Sequence, residues 1–278
     1  MSPRDGGPHR ARKSLGQNFL VDPNAQRRIV ESLGAGPDDE VLEIGPGQGA
    51  LTRHLVGTVR RLVLVELDND LAPRLAAEFA GDPSVEVVHG DILDVPLERV
   101  SADPARLLVI GNIPYNITTP ILFSLLERRT RPRAVVLMVQ REVADRILAE
   151  PGSKAYGALA VGVRSVADAE RVLHVGRKSF RPVPDVESTV VRITPHAPPR
   201  LPAEEEGALR ELTRAAFGQR RKQFQRILRD AYRLSPEEVE ALGAELGMDL
   251  RDRPETFAPE QFIRLARALS ARREAREG

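Results

Sequence analysis

Short apolar runs rich in Val, Ile and Leu alternate with amphipathic stretches over the first two thirds of the chain. The runs at Val41–Ile44, Leu62–Leu67, Val85–His89, Leu107–Ile110 and Val135–Val139 are four to six residues long, the length of buried strands. Between them, apolar residues recur at helical spacing near Leu51–Val56, Asp70–Phe79, Pro120–Arg128 and Arg141–Ala149. Strands that are apolar throughout and separated by helices predict a parallel sheet covered on both faces. Two later runs, Arg171–Val175 and Glu187–Ile193, have no comparable helix between them and read as an antiparallel hairpin at the sheet edge. The expected fold class is α/β, a Rossmann-like seven-stranded sheet followed by a small all-α domain.

The boundary between the two parts is read at Pro195-His196-Ala197-Pro198-Pro199-Arg200-Leu201-Pro202, where the prolines hold extended backbone and continue neither strand nor helix. Residues 1–195 are therefore expected to form the sheet domain, with 1–28 as an amino-terminal element, 196–202 a linker and 203–278 a helical domain. Beyond the linker the pattern is helical at Glu204–Phe217, Arg221–Tyr232, Glu237–Leu246 and Glu260–Leu269. Ser235-Pro236-Glu237-Glu238 signals a helix start, with an N-cap hydroxyl, a proline in the first turn and a glutamate at the third position.

Composition narrows the chemistry. With no cysteine among 278 residues, disulfides, thiolate metal sites and cysteine nucleophiles are excluded. The five histidines lack metal-ligand spacing, and no metal is expected. No run of eighteen apolar residues is present, so a membrane span is not expected, and the reading is of a cytoplasmic monomer. The net charge of +1 conceals two basic stretches. Residues 1–28 carry six basic residues against two acidic ones, and residues 217–233 carry six against one. Local clusters of this kind suit a docked polyanion, although such runs are more often solvated helix faces.

Gly45, Gly47 and Gly49-Ala50 follow a predicted strand and precede a helix, as a loop that brings bare backbone against a nucleotide-like cofactor would require. Glu66, at the end of the next strand, is placed to accept hydrogen bonds from two ribose hydroxyls. Asp91 and Asn112 end the third and fourth strands, so landmarks at 45, 66, 91 and 112 recur every 21 to 25 residues, the length of one strand-helix unit. A parallel sheet would bring all four to its carboxyl edge. A nicotinamide dehydrogenase would share the first two landmarks, but no proton donor for hydride transfer is evident. S-adenosylmethionine fits better: Gly45, Gly47 and Gly49 for close approach, Glu66 for the ribose and Asp91 for the adenine amine. Asn112-Ile113-Pro114-Tyr115 can then hold a planar amine, through the Asn112 side-chain oxygen and a carbonyl at Ile113 or Pro114, with Tyr115 stacked on the base. Phe180, on the stiff loop Phe180-Arg181-Pro182-Val183-Pro184, is expected to cover the other face of a flipped base.

Taken together, these residues resemble the KsgA/RsmA-type small-subunit ribosomal RNA adenine dimethyltransferase family, nearly end to end. The resemblance rests on Lys13-Ser14-Leu15-Gly16-Gln17-Asn18-Phe19-Leu20, Glu43 to Thr52, Val65-Glu66-Leu67-Asp68, Gly90-Asp91-Ile92-Leu93, Asn112 to Ile117, and Phe180 to Pro184 with Val186 and Ser188. It implies a class I S-adenosylmethionine-dependent methyltransferase fold, with Gln17, Asn18 and Leu20 closing over the cofactor. It also implies transfer of four methyl groups to the N6 atoms of two adjacent adenines in the 3′-terminal hairpin loop of 16S rRNA, on a maturing 30S particle. The stretch Phe217-Gly218-Gln219-Arg220-Arg221-Lys222 is similar to the family's helical-domain element and implies that Arg220, Arg221 and Lys222 meet RNA. It favours this branch over the adenine methylases of 23S rRNA, while Gln223-Phe224-Gln225-Arg226 departs from the expected Thr-Leu-Arg. The other readings weighed are an assembly or nucleic-acid-binding factor with incidental methylase activity, and an NAD-dependent oxidoreductase.

Overall fold

The computed structural model describes residues 11–12, 16–114, 117–127, 130–219 and 221–277. By its internal contacts the chain divides into two compact units, one of residues 1–144 with 170–194 and the other of 145–169 with 195–278.

The first unit is built on a seven-stranded sheet. Its strands are β2 (Glu40–Ile44), β3 (Arg61–Glu66), β4 (Val85–His89), β5 (Leu108–Asn112), β6 (Ala134–Gln140), β7 (Ala167–Val175) and β9 (Ser188–Pro195), and a short pair β1 (Phe19–Leu20) and β8 (Phe180–Arg181) forms a separate ladder. The order across the sheet is β4-β3-β2-β5-β6-β9-β7, with β2 to β6 parallel and β9 antiparallel to β6. The two late strands are neighbours at the sheet edge as the pattern predicts, with β9 the inner one.

Val41, Leu42, Leu62, Leu64, Val109, Ile110 and Val135 to Val139 are essentially inaccessible, which is why their strands read as mostly apolar runs. The helices of this part are α1 (Pro23–Leu33), α2 (Thr52–Leu55), α3 (Leu71–Glu78), α4 (Leu97–Val100), α5 (Thr118–Leu126) and α6 (Arg141–Ile147). Helix α1, absent from the periodicity reading, buries Ala25, Ile29 and Leu33 and is capped by Asp22, whose carboxylate accepts from Asn24 and Ala25. In this sheet β2 and β5 are neighbours, and the chain order reverses between them. That reversal opens a crevice at the carboxyl ends of the two strands, where doubly wound folds bind their ligands.

The second unit is helical: α7 (Ala158–Arg164), α8 (Glu206–Gly218), α9 (Phe224–Tyr232), α10 (Pro236–Leu246) and α11 (Pro259–Glu277). Phe217 stacks on Phe262 at 5.7 Å between ring centroids, Phe224 meets Phe257 and Phe262 at 5.4 Å each, and the Tyr156 hydroxyl donates to the Phe257 carbonyl at 2.8 Å. The capping box at Ser235 is present: Glu238 N–H donates to the Ser235 hydroxyl, and Ser235 N–H to the Glu238 carboxylate. Helix α9 begins at Phe224 rather than Arg221. Its first N–H groups are taken by the Asp252 and Leu250 carbonyls, and Arg221 sits at φ 69°, which ends any helical path through it.

Candidate active site

Four strand ends meet in the crevice. Gly45 follows β2, Glu66 closes β3, Asp91 stands two residues beyond β4, and Asn112 closes β5. One cavity is lined by all four, together with Gln17, Asn18, Leu20, Gly47 and Pro114. The landmark spacing thus converts into a shared site because each strand-helix unit returns the chain to the same sheet edge. Among the described residues that line it, Ile113, Ile117 and Ile121 add an apolar wall beside Asn112.

The glycine loop is tied to the next strand. Glu66 is 5% exposed; one oxygen accepts Gly47 N–H at 2.9 Å and the other accepts Asp68 N–H at 2.9 Å. Burial raises its pKa above the usual carboxylate value, against the pull of those two N–H groups. Gly47 has φ 59°, and a Cβ there would stand 3.2 Å from the Phe19 ring, so only glycine lets the loop and the amino-terminal segment approach this closely. Gly49, expected to touch the cofactor, is not part of the lining: its Cβ position faces the Arg53 guanidinium at 3.3 Å.

A third carboxyl lines the cavity beside Glu66 and Asp91, and the sequence pattern assigns it no role. Glu43 lies within β2, is 1% exposed, and accepts the Thr52 hydroxyl at 2.7 Å. Burial pushes its pKa up to about 7, reinforced by the neighbouring charge of Glu66 and opposed by the Thr52 hydrogen bond. The signal was available: a glutamate inside Val41-Leu42-Glu43-Ile44 is a charge in a strand buried on both faces.

Residues 16–20 lie over this cavity as a strap fixed at several points. Gln17 Nε2 donates to Asp68 Oδ2 at 2.8 Å, and Arg12 reaches Asp70 at 2.6 Å. Burial pulls the Asp68 pKa upward, but hydrogen bonds from Asp70 N–H, Gln17 and Leu71 N–H, with the Arg12 charge, leave it below the ordinary value. Asn18 donates from its side chain to the Gly16 carbonyl at 3.2 Å and accepts the Asn112 side-chain amide on its own carbonyl at 3.1 Å. β1 then pairs with β8, Leu20 opposite Phe180 and Phe19 opposite Arg181.

This pairing corrects the expectation for Phe180. Its ring is wholly buried in the hydrophobic core with Leu20, Ile29, Met138 and Val175, and it is not part of the cavity lining. The ladder partner Leu20 is equally buried, so the ring serves to seat the strap rather than to cover a base. Tyr115, expected to stack on the base, lies outside the described residues, as do Lys13 to Leu15. Pro114 lines the cavity, and its carbonyl is held by Ile117 N–H at 3.2 Å and the Thr118 hydroxyl at 3.4 Å. Asp91 keeps one carboxylate oxygen on Leu93 N–H at 2.9 Å.

In the helical unit, Arg221 is exposed and Lys222 pairs with Asp230 at 3.0 Å; Arg220 lies outside the described residues. Among the described residues no cluster of three or more His, Cys, Asp or Glu could hold a metal, and no helix is long and apolar enough to cross a membrane.

A parallel-sheet switch point carrying a glycine-rich loop, a buried carboxylate on the following strand and an Asn-Ile-Pro turn defines a class I methyltransferase. Residues 8–270 match the ribosomal RNA adenine dimethylase family, and the chain belongs to it. It is 43% identical over 265 residues to "Ribosomal RNA small subunit methyltransferase A" of Geobacter metallireducens, covering 94% of this chain and 96% of the relative. The protein of the same name from Chlorobium chlorochromatii is 45% identical over 224 residues, covering 81% and 83% of the two chains. Among solved structures, the 23S rRNA methyltransferase ErmE superposes with a TM-score of 0.72 at 31% identity, covering 91% of this chain and 100% of the other. A dimethyladenosine transferase from Plasmodium falciparum superposes at 0.78 with 23% identity, covering 91% and 98%, and shares the fold. The chain is an rRNA methyltransferase, and its family and fold imply a methyl donor of the S-adenosylmethionine type.

Proposed function

We propose that this chain transfers methyl groups from S-adenosylmethionine to the N6 atoms of two adjacent adenines in the 3′-terminal hairpin loop of 16S rRNA, acting as a cytoplasmic monomer on a maturing 30S particle. The observation that carries the reading is that Glu66 and Asn112 line one cavity, a ribose-binding carboxylate and an amine-holding amide at the same sheet edge. The small-subunit assignment is supported by relatives 40% or more identical over most of their length that are named for that particle.

The cavity fits the donor. Gly45 and Gly47 present backbone without side chains, Glu66 would supply acceptors for ribose hydroxyls and Asp91 one for the adenine amine, and Gln17, Asn18 and Leu20 also line the cavity. Bound there, S-adenosylmethionine supplies a methyl group on a positively charged sulfur. The chain's own residues then have to make a poor nucleophile reactive, because the lone pair of an exocyclic adenine amine is delocalised into the ring. Asn112 Oδ1 accepts one N6–H and the Ile113 carbonyl the other, the Pro114 carbonyl being taken by Ile117 N–H and the Thr118 hydroxyl, which favours a pyramidal nitrogen with its lone pair aimed at the donor. Tyr115 stacks on the base. No strong general base is needed, since the nitrogen becomes acidic once alkylated. After one transfer the amine keeps one N–H, enough for Asn112 to hold it for the second. Ile113, Ile117 and Ile121 keep water away from the reacting atoms. Residues 203–278 are assigned to RNA docking, through Arg220, Arg221 and Lys222.

Calorimetry with S-adenosylmethionine and with NAD, followed by incubation of the donor complex with undermethylated 30S and with 50S particles, tests the reading. Binding of the sulfonium donor alone and labelling of 30S alone is the expected result. Binding of NAD instead, or labelling of 50S, would overturn it.

A further inference from the structure

We infer that the main-chain carbonyl of Asn18 is a positioning group that fixes the sense of the Asn112 amide, and thereby restricts the acceptor to a base that presents an amino group. The inference deepens the proposed function and rests on it. The Asn112 Nδ2 donates to Asn18 O at 3.1 Å. A carbonyl oxygen carries no hydrogen, so only the NH2 end of the amide can face it. The group left for an acceptor in the cavity is Oδ1, which accepts hydrogen bonds and cannot donate them.

The carbonyl is itself well placed to act as a fixed reference. Asn18 closes its turn onto the Gly16 carbonyl at 3.2 Å, Phe19 and Leu20 pair with Arg181 and Phe180, and Val21 N–H donates to the Ser179 carbonyl at 2.8 Å. A flipped amide would lose its bond to Asn18 and set two oxygen lone pairs against one another. With the sense fixed, adenine N6 can donate to Oδ1, whereas a purine with a 6-oxo group would bring oxygen against oxygen. The strap that covers the donor therefore also selects the acceptor.

The test is Asn112→Asp. Its carboxylate has no proton to give Asn18, so the ionised variant places an oxygen against the carbonyl. Protonation restores both halves of the native pattern, an O–H to Asn18 and a C=O for the amine. Single-turnover methyl transfer to undermethylated 30S particles is measured between pH 5 and 8 at saturating donor for the parent protein, Asn112→Asp and Asn112→Ala. Glu43, Glu66 and Asp91 line the same cavity in all three proteins, so each variant is read as a ratio to the parent. The Asn112→Asp ratio should rise as the pH falls, by roughly tenfold per unit above its pKa, while the Asn112→Ala ratio stays flat. A flat Asn112→Asp ratio, or parent-like activity at pH 8, would overturn the inference. Should Asn112→Asp not fold, the side-chain amide resonances of Asn112 in the parent protein decide the matter: one proton protected from exchange is expected, and rapid exchange of both would be contrary. Parent protein that binds the donor yet methylates no rRNA would instead refute the proposed function.

Discussion

The Glu66 carboxylate reaches from the end of β3 to the Gly47 N–H at 2.9 Å, so the group proposed to hold the ribose also holds the loop that the donor must approach. Removing it should therefore harm donor binding twice, by losing a ligand contact and by releasing the loop. Glu66→Ala is expected to weaken S-adenosylmethionine binding by about 1–2 kcal/mol or more, the scale of a hydrogen bond to a charged group. Calorimetric titration checks this, and an unchanged Kd would remove the ribose role.

Asn112 should separate binding from transfer. Its oxygen is assigned to the acceptor, so Asn112→Ala is expected to leave donor affinity within a few-fold of the parent while methyl transfer falls by about 100-fold or more, the range for losing a preorganised polar group at the reacting atom. Equal losses in both measurements would place the residue in the donor site instead.

Glu43 gives the protein a pH signature near neutrality. Its folded pKa of about 7 lies above the 4.5 of an ordinary glutamate, so the proton is held more tightly in the native state. The stability it contributes is full below pH 4.5 and is lost as the pH climbs through about 7, a total on the order of 3 kcal/mol. Denaturant unfolding at pH 5 and pH 8 should show a larger loss for the parent than for Glu43→Gln. Parallel losses would mean that Glu43 is not held protonated.

Gly111 is required by packing between strands. A Cβ there would lie 2.8 Å from the Ile44 carbonyl oxygen, a backbone atom of the paired strand, at the very switch point of the sheet. Gly111→Ala is expected to cost about 1–3 kcal/mol in unfolding free energy, as overpacking typically does, and to lower the melting temperature. Unaltered stability would show that the two strands can part without penalty.

RNA docking should depend on salt. Counterion release predicts a linear fall of log affinity with log salt, and removing one phosphate contact reduces the slope by about one. Arg221→Ala combined with Lys222→Ala should flatten the response for 16S rRNA fragments. Lys222 already shares its charge with Asp230, so Arg221 should account for the greater part.

The sheet and its crevice were legible because the inner strands are largely apolar and because Gly45, Glu66, Asp91 and Asn112 fall one strand-helix unit apart. What escaped was set by contacts distant in sequence. α1 is an exception: its signals are local, an Asp22-Pro23 start and buried Ala25, Ile29 and Leu33 at helical spacing, but three apolar positions in eleven residues form no apolar run. The two-residue strands β1 and β8 are too short to show alternation, yet their pairing decides that Phe180 is buried rather than presented to a base. The start of α9 depends on the carbonyls of Leu250 and Asp252, which no local pattern near Arg221 reveals. At the site, the placement of Glu66 and Asn112 at one sheet edge was readable, but the Asn18 carbonyl was not, because a backbone group leaves no mark in a sequence.

The central claim is that a sulfonium donor and an adenine amine meet in the cavity between Glu66 and Asn112. The most direct measurement is to incubate the protein with S-adenosylmethionine bearing a tritiated methyl group and 30S particles that lack the modification, then to map the label on the rRNA. N6,N6-dimethyladenine at two adjacent positions in the 3′-terminal hairpin loop is the expected product. Label on another base or in another region of the rRNA, or no label from a protein that binds the donor, would contradict it.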